Sequence, residues 1–171
     1  MASSSVFIAM SLDGYIANSD GSLDWLKIVE EEGQDYGFAK FFTKIDAIVM
    51  GRKTYEKVLE FDSWPFADKE VWVITSSGLR PKHSEKFSHN LEVTLRALSS
   101  QHKNVYLDGG KIVSSSLNLK SVDKITLSVI PIILGSGIPL FEGINKSIRL
   151  VLESTQSFPK GLVQLVYNVI K

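Results

Sequence analysis

Short apolar runs alternate with helix-like stretches through the first two thirds of this chain, and then the helices stop. Apolar runs at 6–10, 46–50, 71–74 and 104–107 read as buried strands, and a weaker strand is expected at 91–93. Between them, 34–44, 52–59, 95–101 and 111–119 carry apolar residues near helical spacing. Residues 12–25 hold two Asp- or Asn-rich turn signals and read as a loop. From 124 onward only strand patterns remain, at 124–133, 148–157 and 162–170, with Gly135-Ser136-Gly137 and Pro159-Lys160-Gly161 as connections. Alternation requires a parallel sheet covered by helices on both faces, and a helix-free tail adds antiparallel strands at one edge. The expected fold is therefore α/β, a three-layer sandwich around a mixed, mostly parallel sheet, with residues 1–171 as one domain.

Composition removes several function classes. The chain has no cysteine, which excludes disulfides, a thiolate nucleophile and cysteine-ligated metal sites. His83, His89 and His102 have no spacing suited to a shared metal, so no metal is expected. Lys plus Arg and Asp plus Glu number 19 each, without the basic excess of a nucleic-acid binder. No run of about 18 apolar residues suggests a membrane span, and the N-terminal residues lack the charges of a signal peptide. A cytoplasmic location is expected.

Two segments share one design, a buried strand followed by glycine and then a helix. They are Ile48-Val49-Met50-Gly51-Arg52-Lys53-Thr54 and Val105-Tyr106-Leu107-Asp108-Gly109-Gly110-Lys111-Ile112. Helix N-termini offer unpaired N–H groups, glycine admits close approach, and an adjacent cation adds charge-assisted bonds. Either segment alone could merely ease a turn. Together, at the carboxyl ends of parallel strands, they suit a dinucleotide pyrophosphate. Thr75-Ser76-Ser77-Gly78 with Arg80 and Lys82 leaves another strand end and supplies hydroxyls beside cations, the donors that a 2′-phosphate needs.

With Ser11-Leu12-Asp13-Gly14-Tyr15-Ile16-Ala17, Met50-Gly51-Arg52-Lys53-Thr54-Tyr55-Glu56, Asp108-Gly109-Gly110 and the segment from Pro131 to Phe141, the chain resembles the dihydrofolate reductase superfamily. It looks closest to the branch of the C-terminal reductase domain of the bifunctional riboflavin-biosynthesis deaminase–reductase. The resemblance implies an NADPH-dependent reductase acting on a small molecule, either a ribosylaminopyrimidine or another heterocycle. It implies that Ala9 and Ile16 flank the nicotinamide and that Gly51, Arg52, Lys53 and Thr54 hold phosphates. Thr75, Ser76 and Ser77 would face the adenosine ribose and its 2′-phosphate, beside Arg80 as the segment's own cation, and Gly109, Gly110, Lys111 and Ile112 would cradle the pyrophosphate.

On the substrate side the resemblance implies Asp35 as the catalytic acid, with Trp25 and Ser128 in the pocket. Asp35 also reads as an ordinary acid favoured by a helix start. Glu30-Glu31-Glu32-Gly33 and Pro131 depart from true folate reductases. A dihydrofolate reductase proper and a non-catalytic nucleotide-binding module remain as alternatives. The apolar run 130–134 and the strand-rich tail suggest a homodimer.

Overall fold

The computed structural model describes residues 3–78 and 80–171. In chain order the elements are β1 (Ser4–Ser11), β2 (Tyr15–Ala17), a 3₁₀ helix (Asp24–Val29), α1 (Phe38–Phe42), β3 (Ala47–Gly51), α2 (Arg52–Val58) and β4 (Glu70–Ile74). They continue as β5 (Lys86–Ser88), α3 (Leu91–Ser100), β6 (Val105–Asp108), α4 (Gly110–Asn118) and β7 (Lys124–Ile130). The last are β8 (Ile138–Pro139), β9 (Leu150–Ser157) and β10 (Val163–Val169).

Eight strands form one sheet in the order β5-β4-β3-β6-β1-β7-β10-β9. Pairing is parallel from β5 through β7 and antiparallel for β7–β10 and β10–β9. The expected mixed sheet with an antiparallel edge is thus present. Side-chain alternation along each strand fills two layers. Val6, Ala47, Val49, Val105 and Leu107 face Leu95 and Leu98 of α3 and Ile112, Val113 and Leu117 of α4. Ile48, Met50, Val71, Val73 and Tyr106 face Tyr55 and Val58 of α2 and the phenylalanines of α1.

The local differences from the sequence reading have identifiable causes. The helix expected at 34–44 is only Phe38–Phe42, because Tyr36 (φ 55°) and Gly37 (φ 85°) are left-handed and cannot belong to it. Residues 91–93, expected as a strand, open α3. The Asn90 side chain accepts the Val93 N–H at 3.0 Å, and Leu91, Leu95 and Leu98 then repeat at helical spacing against the core. The strand expected through 133 stops at Ile130, just before Pro131. The loop expected at 12–25 contains β2, which pairs with β8.

That pairing fastens two distant segments together. Asp13 accepts the Ser11 hydroxyl (2.6 Å) and the N–H groups of Leu134 (3.1 Å) and Gly135 (2.7 Å). These bonds, the serine's first, lower its pKa. Leu12 N–H donates to Ile132 at 2.8 Å and Leu140 N–H to Gly14 at 3.0 Å. Gly137 (φ 155°) sits where any Cβ would overlap the Ala17 carbonyl, so this crossing requires glycine.

Candidate active site at the carboxyl ends of the strands

Because β4, β3, β6 and β1 are parallel neighbours, their carboxyl ends lie side by side. This brings the loop after β4, the β3–α2 junction, the β6–α4 junction and the end of β1 to one edge of the sheet. Met50 is directly opposite Asp108. The two glycine junctions also pack on each other. A Cβ on Gly109 (φ 91°) would overlap the Thr54 hydroxyl, and one on Gly51 would meet Ile112 at 3.6 Å. Gly110 is buried under Ile16 and the Pro139 carbonyl, each 3.0 Å from where its Cβ would stand.

Cations surround this edge. Arg52, Lys53, Arg80 and Lys111 are exposed. Arg52 donates through Nε to Glu56 (2.6 Å) and through Nη1 to the Ser77 hydroxyl (2.8 Å), so its guanidinium bridges the ends of β3 and β4. Thr75 is buried and accepts the Ser77 N–H at 3.1 Å, while Ser76 is exposed. Glu85, 3% exposed, anchors the following loop by accepting the Tyr55 hydroxyl and the N–H groups of Lys82 and His83. Burial opposes its ionisation, but these bonds outweigh burial and hold its pKa below the usual value. Backbone-adjacent glycines, hydroxyls and exposed cationic heads together fit an anionic dinucleotide.

On the other face of the sheet, beside these ends, lies a cavity of about 620 Å³. Phe7 and Ala9 of β1, Ser128 and Ile130 of β7, and Leu162 form its floor, with Phe38, Tyr36 and Val29 as walls. Ile8, Leu26, Glu30, Glu31, Glu32, Gln34 and Asp35 complete the lining. Asp35 and Ser128, expected at the site, therefore reach the same cavity. The Asp35 carboxylate accepts the N–H groups of Ala39 (2.8 Å) and Gly37 (2.9 Å), which hold its pKa below the ordinary carboxylate value. Ser128 is buried, pairs in register with Ala9, and accepts from Gln164 Nε2 at 3.1 Å. Trp25 is not among the lining residues. It is buried in a cluster with Val29, Ile130 and Leu162, which do line the cavity.

In the sequence Asp108 belongs to the strand-glycine-helix junction, where nothing gives the carboxyl itself a role. It ends the central strand β6 on the same face as Tyr106, and burial pushes its carboxyl up to about 6. Tyr106 is buried below it and donates to the Phe7 carbonyl at 3.2 Å. The two carboxyl groups at this edge of the sheet thus have opposite tendencies. Asp35 is held ionised, whereas Asp108 keeps its proton up to about pH 6.

The sheet order, the fastened N-terminal loop and the double glycine junction define a dihydrofolate-reductase-like α/β domain. Residues 5–164 match the family described as RibD C-terminal domain, and the chain belongs to that family. It is 36% identical over 167 residues to the protein YwjB of Bacillus subtilis (strain 168), covering 95% of each chain. A crystal structure from Shewanella sp. PV-4, described as that of a candidate riboflavin biosynthesis protein, superimposes with TM-score 0.89 at 32% identity over 100% of both chains. The diaminohydroxyphosphoribosylaminopyrimidine deaminase/5-amino-6-(5-phosphoribosylamino)uracil reductase of Thermotoga maritima matches with TM-score 0.72 at 16% identity. That match covers 99% of this chain and 57% of the other, and it speaks for the fold alone. The chain thus shares the fold of a riboflavin-biosynthesis reductase.

Proposed function

We propose that the protein is an NADPH-dependent reductase that delivers hydride to a heterocyclic or ribosylaminopyrimidine-type small molecule. The observation that carries this reading is the arrangement, at one edge of the sheet, of a cationic double-glycine junction, a cavity lined by Asp35 and Ser128, and the Asp108 carboxyl that ends β6, whose pKa lies on the opposite side of the ordinary value from that of Asp35. When bound, a reduced nicotinamide dinucleotide supplies the hydride.

The chain's own residues bind, orient and move a proton. Gly109, Gly110, Lys111 and Ile112 face the pyrophosphate, with Gly51, Arg52, Lys53 and Thr54 on the neighbouring phosphates. Thr75, Ser76, Ser77 and Arg80 hold the 2′-phosphate, while Ala9 and Ile16 border the nicotinamide end. Ser128 offers a hydroxyl to a substrate acceptor, and Trp25 supports the cavity from below. Asp35, already ionised, suits accepting N–H groups from the ring, whereas a proton donor needs a pKa nearer the working pH than an ordinary carboxyl has. That requirement favours Asp108 as the proton source.

A reaction in which NADPH absorbance falls only when a reducible aminopyrimidine or pterin is added is the expected result. Tight NADPH binding without turnover across such a panel would instead support a non-catalytic binding module. Within the same reading we assign a homodimer through β9. All eight of its residues are exposed at the sheet edge, Leu150, Val151 and Leu152 among them, which is a template for pairing. Light scattering is expected to give twice the 19.0 kDa chain mass, and a single-chain mass would remove the assignment.

A further inference from the structure

The cavity has a strongly one-sided charge. Glu30, Glu31, Glu32 and Asp35 are exposed along it, and no lysine, arginine or histidine belongs to its described lining. Two ammonium groups border this rim. Lys27 is paired with Asp24 at 2.8 Å, and Lys160 donates to the Glu30 carbonyl. Counting all of these, five carboxylates stand against two ammonium groups, a local excess of three negative charges.

A second observation points to a ligand inside. Ser128 is 5% exposed and lines the cavity. It accepts from Gln164, and its own O–H has no acceptor among the described residues. A buried hydroxyl proton without a partner is costly unless something in the cavity accepts it. The cavity therefore presents a donor at its floor and acceptors at its mouth.

We infer that this cavity selects an uncharged or cationic heterocycle, with a hydrogen-bond acceptor directed at Ser128, and disfavours phosphorylated substrates through Glu30, Glu31 and Glu32. The inference rests on the reading above that the cavity holds the substrate. Three excess charges facing a phosphate dianion at about 8–10 Å, with water between, reduce affinity by at least about tenfold at low salt. The effect must shrink as salt rises, since all these carboxylates are exposed.

The test is calorimetric titration of the protein, with and without NADP⁺, using 5-amino-6-(5-phosphoribosylamino)uracil and its dephosphorylated form. The dephosphorylated compound is expected to bind at least about tenfold more tightly at low ionic strength. The gap should close in high salt and in an E30Q/E31Q/E32Q variant. Glu31→Lys should narrow it as well, and both variants alter exposed positions outside the core. Equal or tighter binding of the phosphorylated compound to the unaltered protein would overturn the inference and leave the reductase reading standing. Binding of NADP⁺ with neither pyrimidine would also overturn it, leaving only the cofactor half of that reading. If NADP⁺ fails too, the reductase reading falls and takes the inference with it.

Discussion

The two halves of the candidate site are opposite in charge although they share one edge of one sheet. Toward β3, β4 and α4 the exposed heads are Arg52, Lys53, Arg80 and Lys111. Toward the 3₁₀ helix and α1 they are Glu30, Glu31, Glu32 and Asp35. A chain with formal net charge of zero has thus divided its charges between a face suited to an anionic dinucleotide and a mouth that repels anions. The difference teaches that global charge says little about such a site. In the proposed reading it would also keep the anionic cofactor out of the substrate cavity.

Asp108 stands between the halves, and its removal has the largest expected effect. Asp108→Asn should lower kcat by about 10²–10⁴-fold if the residue donates the proton. The same change should stabilise the fold. A carboxyl whose folded pKa is raised from 3.8 to about 6 favours the fold fully below 3.8 and loses that contribution as pH rises through about 6. Above that range its burial costs up to about 3 kcal/mol, which the amide would not incur. Melting at pH 8 should therefore rise in the variant, with little change at pH 4. The activity of the unaltered protein should fall as pH increases through about 6. A variant that is less stable at pH 8 and fully active would make Asp108 structural.

A smaller effect is expected on the cationic side. Arg52→Ala should weaken NADPH by about 1.5–3 kcal/mol, as for a charged hydrogen bond. Its ion pair with Glu56 is exposed on both sides, so the melting temperature should barely move. Unchanged affinity with a large stability loss would break the comparison on this side.

The smallest effect should come from Asp35→Ala. Losing acceptors for Gly37 and Ala39 N–H at the start of α1 should lower the melting temperature slightly. A change in substrate KM beyond that loss would assign Asp35 to binding. An unchanged KM would leave it as the anchor of α1.

Much of this arrangement was legible in the sequence because it depends on local rules. The strand-glycine-helix junctions at Gly51 and Gly109 and the helix-free tail each follow from patterns within a few residues. What could not be read depends on tertiary placement. Gly37 truncates α1 through a left-handed turn that periodicity does not register. Asn90 caps α3 and turns an apparent strand into a helix. Asp108 reads as half of a turn until β6 is flanked on both sides by parallel strands, and only then does burial raise its pKa. The run Glu30-Glu31-Glu32 is plain in the sequence, but the structure is needed to set it at the mouth of a cavity.

The most direct test of the account is a paired titration of NADPH and NADH, followed by tryptophan quenching and energy transfer to the nicotinamide. Tight NADPH binding with NADH weaker by at least about tenfold is the expected result, because a 2′-phosphate gains charged hydrogen bonds from Ser76, Ser77 and Arg80. Equal affinity for the two would contradict the assigned 2′-phosphate site, and binding of neither would contradict the reductase itself.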